Sequence, residues 1–311
     1  MWDTTPDENG NGYYHEAVPG KVFEKTEKRI SGEIMKRRVF LKMLGMFFCT
    51  AGLAPEVLAK SPDLQSSWDG DDYIKDYLHK MRNFDKPYED DICLDNNEFI
   101  ILKKVLDRLT RLQQTVGYGN FYFLSFDNAL SIARSYSNVG KFTKEELYFI
   151  EMLFHKDSEV YGFFGPKPVK SLTNRIKKTE IVKIPNTGNY LYKGKSVELY
   201  NKIKLALGDE VILTSGVRNV IKQFKLFMSK AYRSNGNLSM ASRSLAPPGY
   251  SFHGVGDFDA GQVGFGVDNF THRFTSTSVF KKLIKLGYLE HRYHENNMLG
   301  VRFEPWHIKI T

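Results

Sequence analysis

Apolar residues recur at helical intervals through much of the first half of the chain. Phe99, Leu102, Val105, Leu106, Leu109 and Leu112 follow i, i+3, i+4 spacing, which predicts a helix over 98–114. The same periodicity predicts helices over 127–136 and 143–153, and Thr143-Lys-Glu-Glu146 has the form of a capping box at the second of these. Residues 60–95 are polar and weakly patterned, a linker running into a first helix near 73–81. Residues 70–175 therefore read as a helical region, ending near the turn-rich aromatic patch Tyr161-Gly-Phe-Phe-Gly-Pro166.

The second half changes character. Helical spacing returns over 196–207 and 219–232, separated by a short apolar strand over 210–214. After Ala246-Pro-Pro-Gly249 the pattern predicts a loop and a strand through Asp257-Phe-Asp259. A helix over 277–286 is stopped by Gly287, and strands are expected at 288–293 and 300–303, joined by a turn at Glu295-Asn-Asn297. Helices preceding a small, mainly antiparallel sheet with flanking helices make an α+β fold.

The amino end has the form of an address. Arg37 and Arg38 stand directly before the uncharged run Met43–Leu53, and the small-residue exit Val57-Leu58-Ala59 follows. A run of that length is too short for a bilayer, which needs roughly 20 apolar residues. A charged start, a short apolar middle and a small-residue cleavage site describe a secretory signal peptide, and RRxFLK resembles the twin-arginine export signal. Residues 1–59 are thus expected to be a leader, with Met35 a natural alternative start. The exported part is expected in the periplasm or cell envelope, with no stable membrane span once the signal is removed.

Composition narrows the classes. With 44 Lys+Arg against 36 Asp+Glu the chain is basic by eight charges, and the leader is charge-balanced, so the remainder keeps that excess. The excess favours an anionic partner such as wall polymer. No helix concentrates cations with aromatics, and with the export signal this excludes nucleic acid as the expected partner. Cys49 leaves with the leader, and Cys93 alone makes no intramolecular disulfide.

Three segments of the second half concentrate polar residues: Ser215-Gly-Val-Arg218 with Gln223 beyond it, Ser251-Phe-His253-Gly-Val-Gly256-Asp257-Phe-Asp259, and Glu304-Pro-Trp306-His307. Two histidines and an aspartate from separate segments are the donors a catalytic zinc prefers, with a fourth position left open for water. A glutamate three residues before a ligand histidine can sit beside that water as general base. His291 and His294 match no such pattern and read as surface residues, and Trp306 reads as a packing residue beside the site.

These segments resemble the VanY-type D-alanyl-D-alanine carboxypeptidases, zinc peptidases related to lysostaphin and hedgehog domains. That family carries SxxR, then SxHxxGxAxD, then ExWH, and the resemblance covers roughly residues 196–311, leaving 60–195 as linker and helical region. It implies a hedgehog/DD-peptidase-like fold and one Zn2+ per chain held by His253, Asp259 and His307. Glu304 would be the general base. Arg218 would hold the oxyanion and read the substrate's terminal carboxylate, with Ser251 and Gln223 as hydrogen-bonding neighbours of the substrate.

The step from His253 to Asp259 is one residue shorter than in the family, which leaves Asp257 as the alternative acidic ligand or a partner behind the ligands; aligned on Asp259, it takes the family's alanine slot. The family's tyrosine before the arginine is Val217. The implied activity is trimming of the D-alanine end of peptidoglycan stem peptides. An L,D-carboxypeptidase or endopeptidase on the same scaffold, or a non-catalytic zinc-containing wall-binding module, are the competing readings.

Overall fold

The computed structural model describes residues 70–310. The leader, with Arg37, Arg38, the run 43–53 and Cys49, lies outside the described residues.

The predicted apolar stripes become the buried faces of the helices. After α1 (Gly70–Arg82), helix α2 (Asn96–Val116) presents Leu102, Val105, Leu109 and Leu112, all fully buried, to α3 (Phe126–Ser135) and α4 (Lys144–His155). The capping box expected at Thr143 is present: Glu146 N–H donates to Thr143 Oγ1 at 3.2 Å and Thr143 N–H to Glu146 Oε2 at 2.8 Å. Each bond satisfies a donor that a helix start leaves without an intrahelical partner. The buried Glu146 also accepts from Nε and Nη2 of Arg108 at 3.0 Å, which ties α4 to α2.

The carboxyl-terminal half contains β1 (Ile181–Lys183), β2 (Tyr190–Tyr192), α5 (Lys195–Leu207), β3 (Val211–Ser215), α6 (Val220–Arg233) and α7 (Leu238–Ser244). It continues through β4 (Phe258–Gln262), α8 (Ser278–Lys285) and β5 (His307–Ile308). β1 and β2 form an antiparallel hairpin, and β3, β4 and β5 an antiparallel sheet in that order. The fold is α+β, as the order of elements predicts.

Two large apolar clusters carry most of the packing among the described residues. One lies between the three-stranded sheet and helices α5 and α8, where Tyr200, Ile203, Phe258, Val279, Leu283, Trp306 and Ile308 meet. Trp306 is a packing residue, as expected. The other joins α2, α3 and α4 to α6 and α7. Phe154 and Tyr161 stand against Phe224 and Phe227 of α6, with ring centroids 6.4 and 6.2 Å apart. At about 1.5–3 kcal/mol for each buried large apolar side chain, this core backs the helix that begins just after Arg218. The residues on either side of 195/196 thus share one interior.

The strands expected at 288–293 and 300–303 do not form. Their backbone groups are satisfied singly by different elements: Arg302 N–H donates to Arg243 O, Phe164 N–H to Leu299 O, and Glu304 N–H to Tyr293 O. Tyr293 and Val301 are buried instead in the helical core, so side-chain anchoring replaces pairing. The loop is pinned by α1, whose Tyr77 hydroxyl donates to Asn297 O at 3.1 Å and accepts from Gly300 N–H at 2.7 Å. Helix α7 has no apolar stripe in its sequence, Leu-Ser-Met-Ala-Ser-Arg-Ser, and goes unpredicted; Asn237 caps it by accepting from Met240 N–H. Among the described residues no helix is long and apolar enough to cross a membrane.

Candidate active site

β4 and β5 pair with Asp259 directly opposite His307. On the other edge of β4, Ser215 pairs with Asp259 after a register irregularity between Leu213 and Ser215. Asp259 is therefore the centre of the sheet at the end where β3 runs into Gly216 and α6. His253 comes from a single 3₁₀ turn, Phe252–Gly254, and its carbonyl accepts from Arg218 N–H at 3.2 Å, which locks that turn to the β3–α6 connection.

These placements bring the three expected ligands together. His253, Asp259 and His307 are all buried and offer donor atoms within 4.8 Å of one another. Asp259 Oδ1 lies 3.3 Å from His253 Nε2 and 3.1 Å from His307 Nδ1. Two donors about 2.1 Å from a common tetrahedral ion stand roughly 3.4 Å apart, so the spacing fits zinc.

The far ring nitrogens are both engaged. His253 Nδ1 stands 2.8 Å from Gly216 O, and a carbonyl only accepts, so the proton sits on Nδ1 and Nε2 faces the centre with its lone pair. His307 Nε2 stands 3.0 Å from Asp257 Oδ2, which turns Nδ1 inward. Gly216 admits no side chain: a Cβ there would meet Tyr190 O at 2.0 Å, the same carbonyl that accepts Val217 N–H at 2.7 Å. Val217, in the family's tyrosine position, is buried beneath the hairpin against Ile176 and Ile181.

The charges are strongly coupled. Burial would raise both aspartates, but His253 and His307 beside Asp259, and His307 and Arg292 beside Asp257, hold these carboxyls well below the usual range. Burial lowers His253, and Arg218 adds to that. Burial also opposes the charged form of His307, yet hydrogen bonds to Asp257 and Asp259 outweigh it and raise the group to about 9. Glu304 is pushed up, chiefly by burial, with the His307 charge pulling the other way.

Glu304 Oε2 lies 3.7 Å from His307 Nδ1 and so faces the same space as the ligand atoms. Arg218 reaches the centre from the β3–α6 connection. Its Nη2 donates to Ser215 Oγ at 2.9 Å and stands 3.6 Å from Asp259 Oδ2. Its Nη1 donates to Gln223 Oε1 at 3.1 Å, and Gln223 is itself held by the Ala246 carbonyl. Gln223 therefore links the arginine to the chain at Ala246. Arg218 Nε is buried without a hydrogen-bond partner. Ser251 is buried and precedes the turn that carries His253, its carbonyl accepting Gly254 N–H at 3.3 Å.

Three site neighbours escape sequence reasoning. Arg292 donates from Nε to Asp257 at 2.7 Å, and Tyr293 packs its ring on that of His307 with centroids 5.1 Å apart. Both fall in the segment expected to be a strand. Gly216 contributes a carbonyl, which no side-chain pattern reveals. His291, expected at the surface, is instead half-buried, wedged between Phe280 and Phe303 with Nε2 unpaired; His294 is exposed as expected.

Two histidines, an aspartate and a glutamate thus stand together, from segments in the order SxxR, HxxxxxD, ExWH. Residues 196–310 match the VanY family, described as D-alanyl-D-alanine carboxypeptidase. The VanY resemblance read from the motifs thus holds over that stretch, and it supports a peptide-bond hydrolase. No curated protein matches the chain.

Solved structures similar to it include a mutant of the vancomycin resistance D,D-pentapeptidase VanY from the VanB-type resistance cassette, in complex with Zn(II). That match has 26% identity and a TM-score of 0.33, covering 41% of this chain and 76% of the other. VanYB in complex with D-alanine-D-alanine matches at 21% identity and a TM-score of 0.36, over 47% and 83% of the two chains. The LdcB LD-carboxypeptidase matches at 20% identity and a TM-score of 0.36, over 43% and 69%.

Proposed function

We propose that this chain is a zinc-dependent D-alanyl-D-alanine carboxypeptidase acting on peptidoglycan stem peptides. The observation that carries the reading is the convergence of His253, Asp259 and His307 donor atoms within 4.8 Å, with Glu304 beside them, inside the segment that matches the VanY family.

His253 Nε2, Asp259 and His307 Nδ1 would hold the ion, which when bound lowers the pKa of a coordinated water toward neutrality and polarises a carbonyl. Everything else belongs to the protein. Glu304, in a partly buried setting that raises its pKa, takes a proton from the attacking water and returns it to the leaving amine; a carboxylate with a raised pKa holds that proton more readily in between. Arg218 is held by Ser215 and Gln223 beside the candidate ligands, where its guanidinium would pair with the anionic carboxylate or the developing oxyanion. A planar fork suits that task better than a point charge.

We also propose export through the twin-arginine-like leader, with action in the periplasm or cell envelope. Replacing Arg37 and Arg38 by lysines is expected to hold the protein in the cytoplasm, and normal export would point to another route. For the activity itself, the purified full-length protein with Zn2+ is expected to release D-alanine from a pentapeptide ending in D-Ala-D-Ala, read by mass spectrometry of the products. Release from a tetrapeptide instead, or internal cleavage, would move the assignment to an L,D-carboxypeptidase or an endopeptidase.

A further inference from the structure

Asp257 is the acidic residue of the site that the metal reading does not use. It precedes β4 by one position and lies two residues before Asp259, so both side chains leave the strand on one face. Asp259 meets Nδ1 of His307 and Asp257 meets Nε2. The two nitrogens diverge from opposite edges of a rigid ring, so a carboxylate held at Nε2 stands outside the space that Nδ1 faces. This geometry removes Asp257 from the candidate ligands.

The carboxylate is itself fixed on every side. Oδ2 accepts from Arg292 Nε at 2.7 Å, and Oδ1 accepts from Ile310 N–H at 2.8 Å. Arg292 lies over the ring of Phe252, 3.4 Å from its centroid, and Phe252 adjoins His253 in the turn that delivers the second histidine. One buried carboxylate thus links the chain just after β5, the loop at 292 and the His253 turn.

We propose that Asp257 is a positioning residue for His307: it fixes the proton on Nε2, sets the ring's rotation, and strengthens Nδ1 as a donor to a divalent cation. The χ2 torsion of a histidine is broad by itself. An outer carboxylate narrows it and raises the basicity of the ligating nitrogen, an effect typically about 10–100-fold in metal affinity. The inference rests on the zinc reading above for its consequence, but the hydrogen bond it invokes is a property of the metal-free chain.

Two measurements on the full-length protein test it. The first is Zn2+ affinity by chelator competition. Asp257→Ala is expected to weaken binding about 10–100-fold, Asp257→Asn to weaken it less because its amide oxygen still accepts from Nε2, and Asp259→Ala to weaken it far more. Unchanged affinity in Asp257→Ala overturns the proposal, and so does a greater loss from Asp257→Ala than from Asp259→Ala, which would make Asp257 the ligand.

The second is the ¹⁵N-histidine spectrum without metal, in which wild type is expected to show a slowly exchanging Nε2–H on His307 that Asp257→Ala loses. Where Asp257→Ala does not fold, the wild-type spectrum still decides whether the Nε2–H exists, and Asp257→Asn is expected to keep that proton with a smaller loss of affinity. Wild type that shows this proton but binds no Zn2+ would sink the metallopeptidase reading and leave the positioning of His307 standing; wild type that lacks the proton overturns the positioning itself.

Discussion

Asp259 and His307 face one another across the β4–β5 pair, and their contact at 3.1 Å follows directly from strand register. Directly opposed residues on one face of an antiparallel pair have Cβ atoms about 4.5–5.5 Å apart, so a short acid and an imidazole meet there without searching. A one-residue slip would send Asp259 to the other face. Two of the three candidate ligands therefore sit on paired strands, and the third, His253, on the 3₁₀ turn beside them.

Replacing Glu304 by glutamine is expected to leave Zn2+ binding nearly intact while D-alanine release falls on the order of 100-fold or more. Metal content by atomic absorption, set beside the rate of D-alanine release, checks this. Parallel loss of metal would make Glu304 a ligand instead.

Proton competition at His307 gives a pH signature. Its value near 9 means that Nδ1 carries a proton at neutral pH in the metal-free chain, and Zn2+ must displace it. Affinity is expected to rise about tenfold per pH unit below 9 and to flatten above it. Stability of the metal-free protein should move the other way. The raised histidine contributes fully below its unfolded value of about 6.5 and loses that contribution as pH climbs through 9. Calorimetric titrations and thermal melts across pH 6–10 read both; an affinity independent of pH would contradict the protonated pairing.

Gly216 has no room for a methyl group, since a Cβ would lie 2.0 Å from Tyr190 O. Gly216→Ala is expected to cost on the order of 3 kcal/mol through overpacking. Because Gly216 O anchors Nδ1 of His253, the same change should weaken Zn2+ binding. A thermal melt and a zinc titration on one sample test both, and wild-type behaviour in each would mean that the hairpin yields.

Arg218→Ala should slow cleavage of peptides with a free terminal carboxylate more than of the same peptides carrying a terminal amide. Comparing kcat/KM for the two series isolates carboxylate recognition. Equal losses would confine Arg218 to oxyanion stabilisation.

Leu109 tests whether the helical half supports the site. It is fully buried in the core that also holds Phe224 and Phe227. Leu109→Ala is expected to cost about 2–5 kcal/mol in a single cooperative urea transition followed by fluorescence and by zinc release. Loss of the helical signal alone, with zinc retained, would show that the two halves unfold separately.

The sequence by itself determined the elements with strong period and named the side chains of the candidate site. The α2 stripe, the Thr143–Glu146 cap, and the pattern SxxR, HxxxxxD, ExWH are local, because a helix face, a cap or a short motif is set by neighbours a few residues apart. It left Asp257 and Asp259 as rival ligands, since both lie on one face of one strand.

Only the tertiary structure separated them, by placing Asp259 against Nδ1 and Asp257 against Nε2 of a single ring that arrives some fifty residues later. The stretch from Tyr288 to Phe303 shows the same division. Its residues favour strands, but pairing requires a partner edge, and the fold anchors Tyr293 and Val301 in the helical core instead. Which carbonyl holds His253, and which arginine holds Asp257, are facts of long-range approach; no spacing along the chain encodes them.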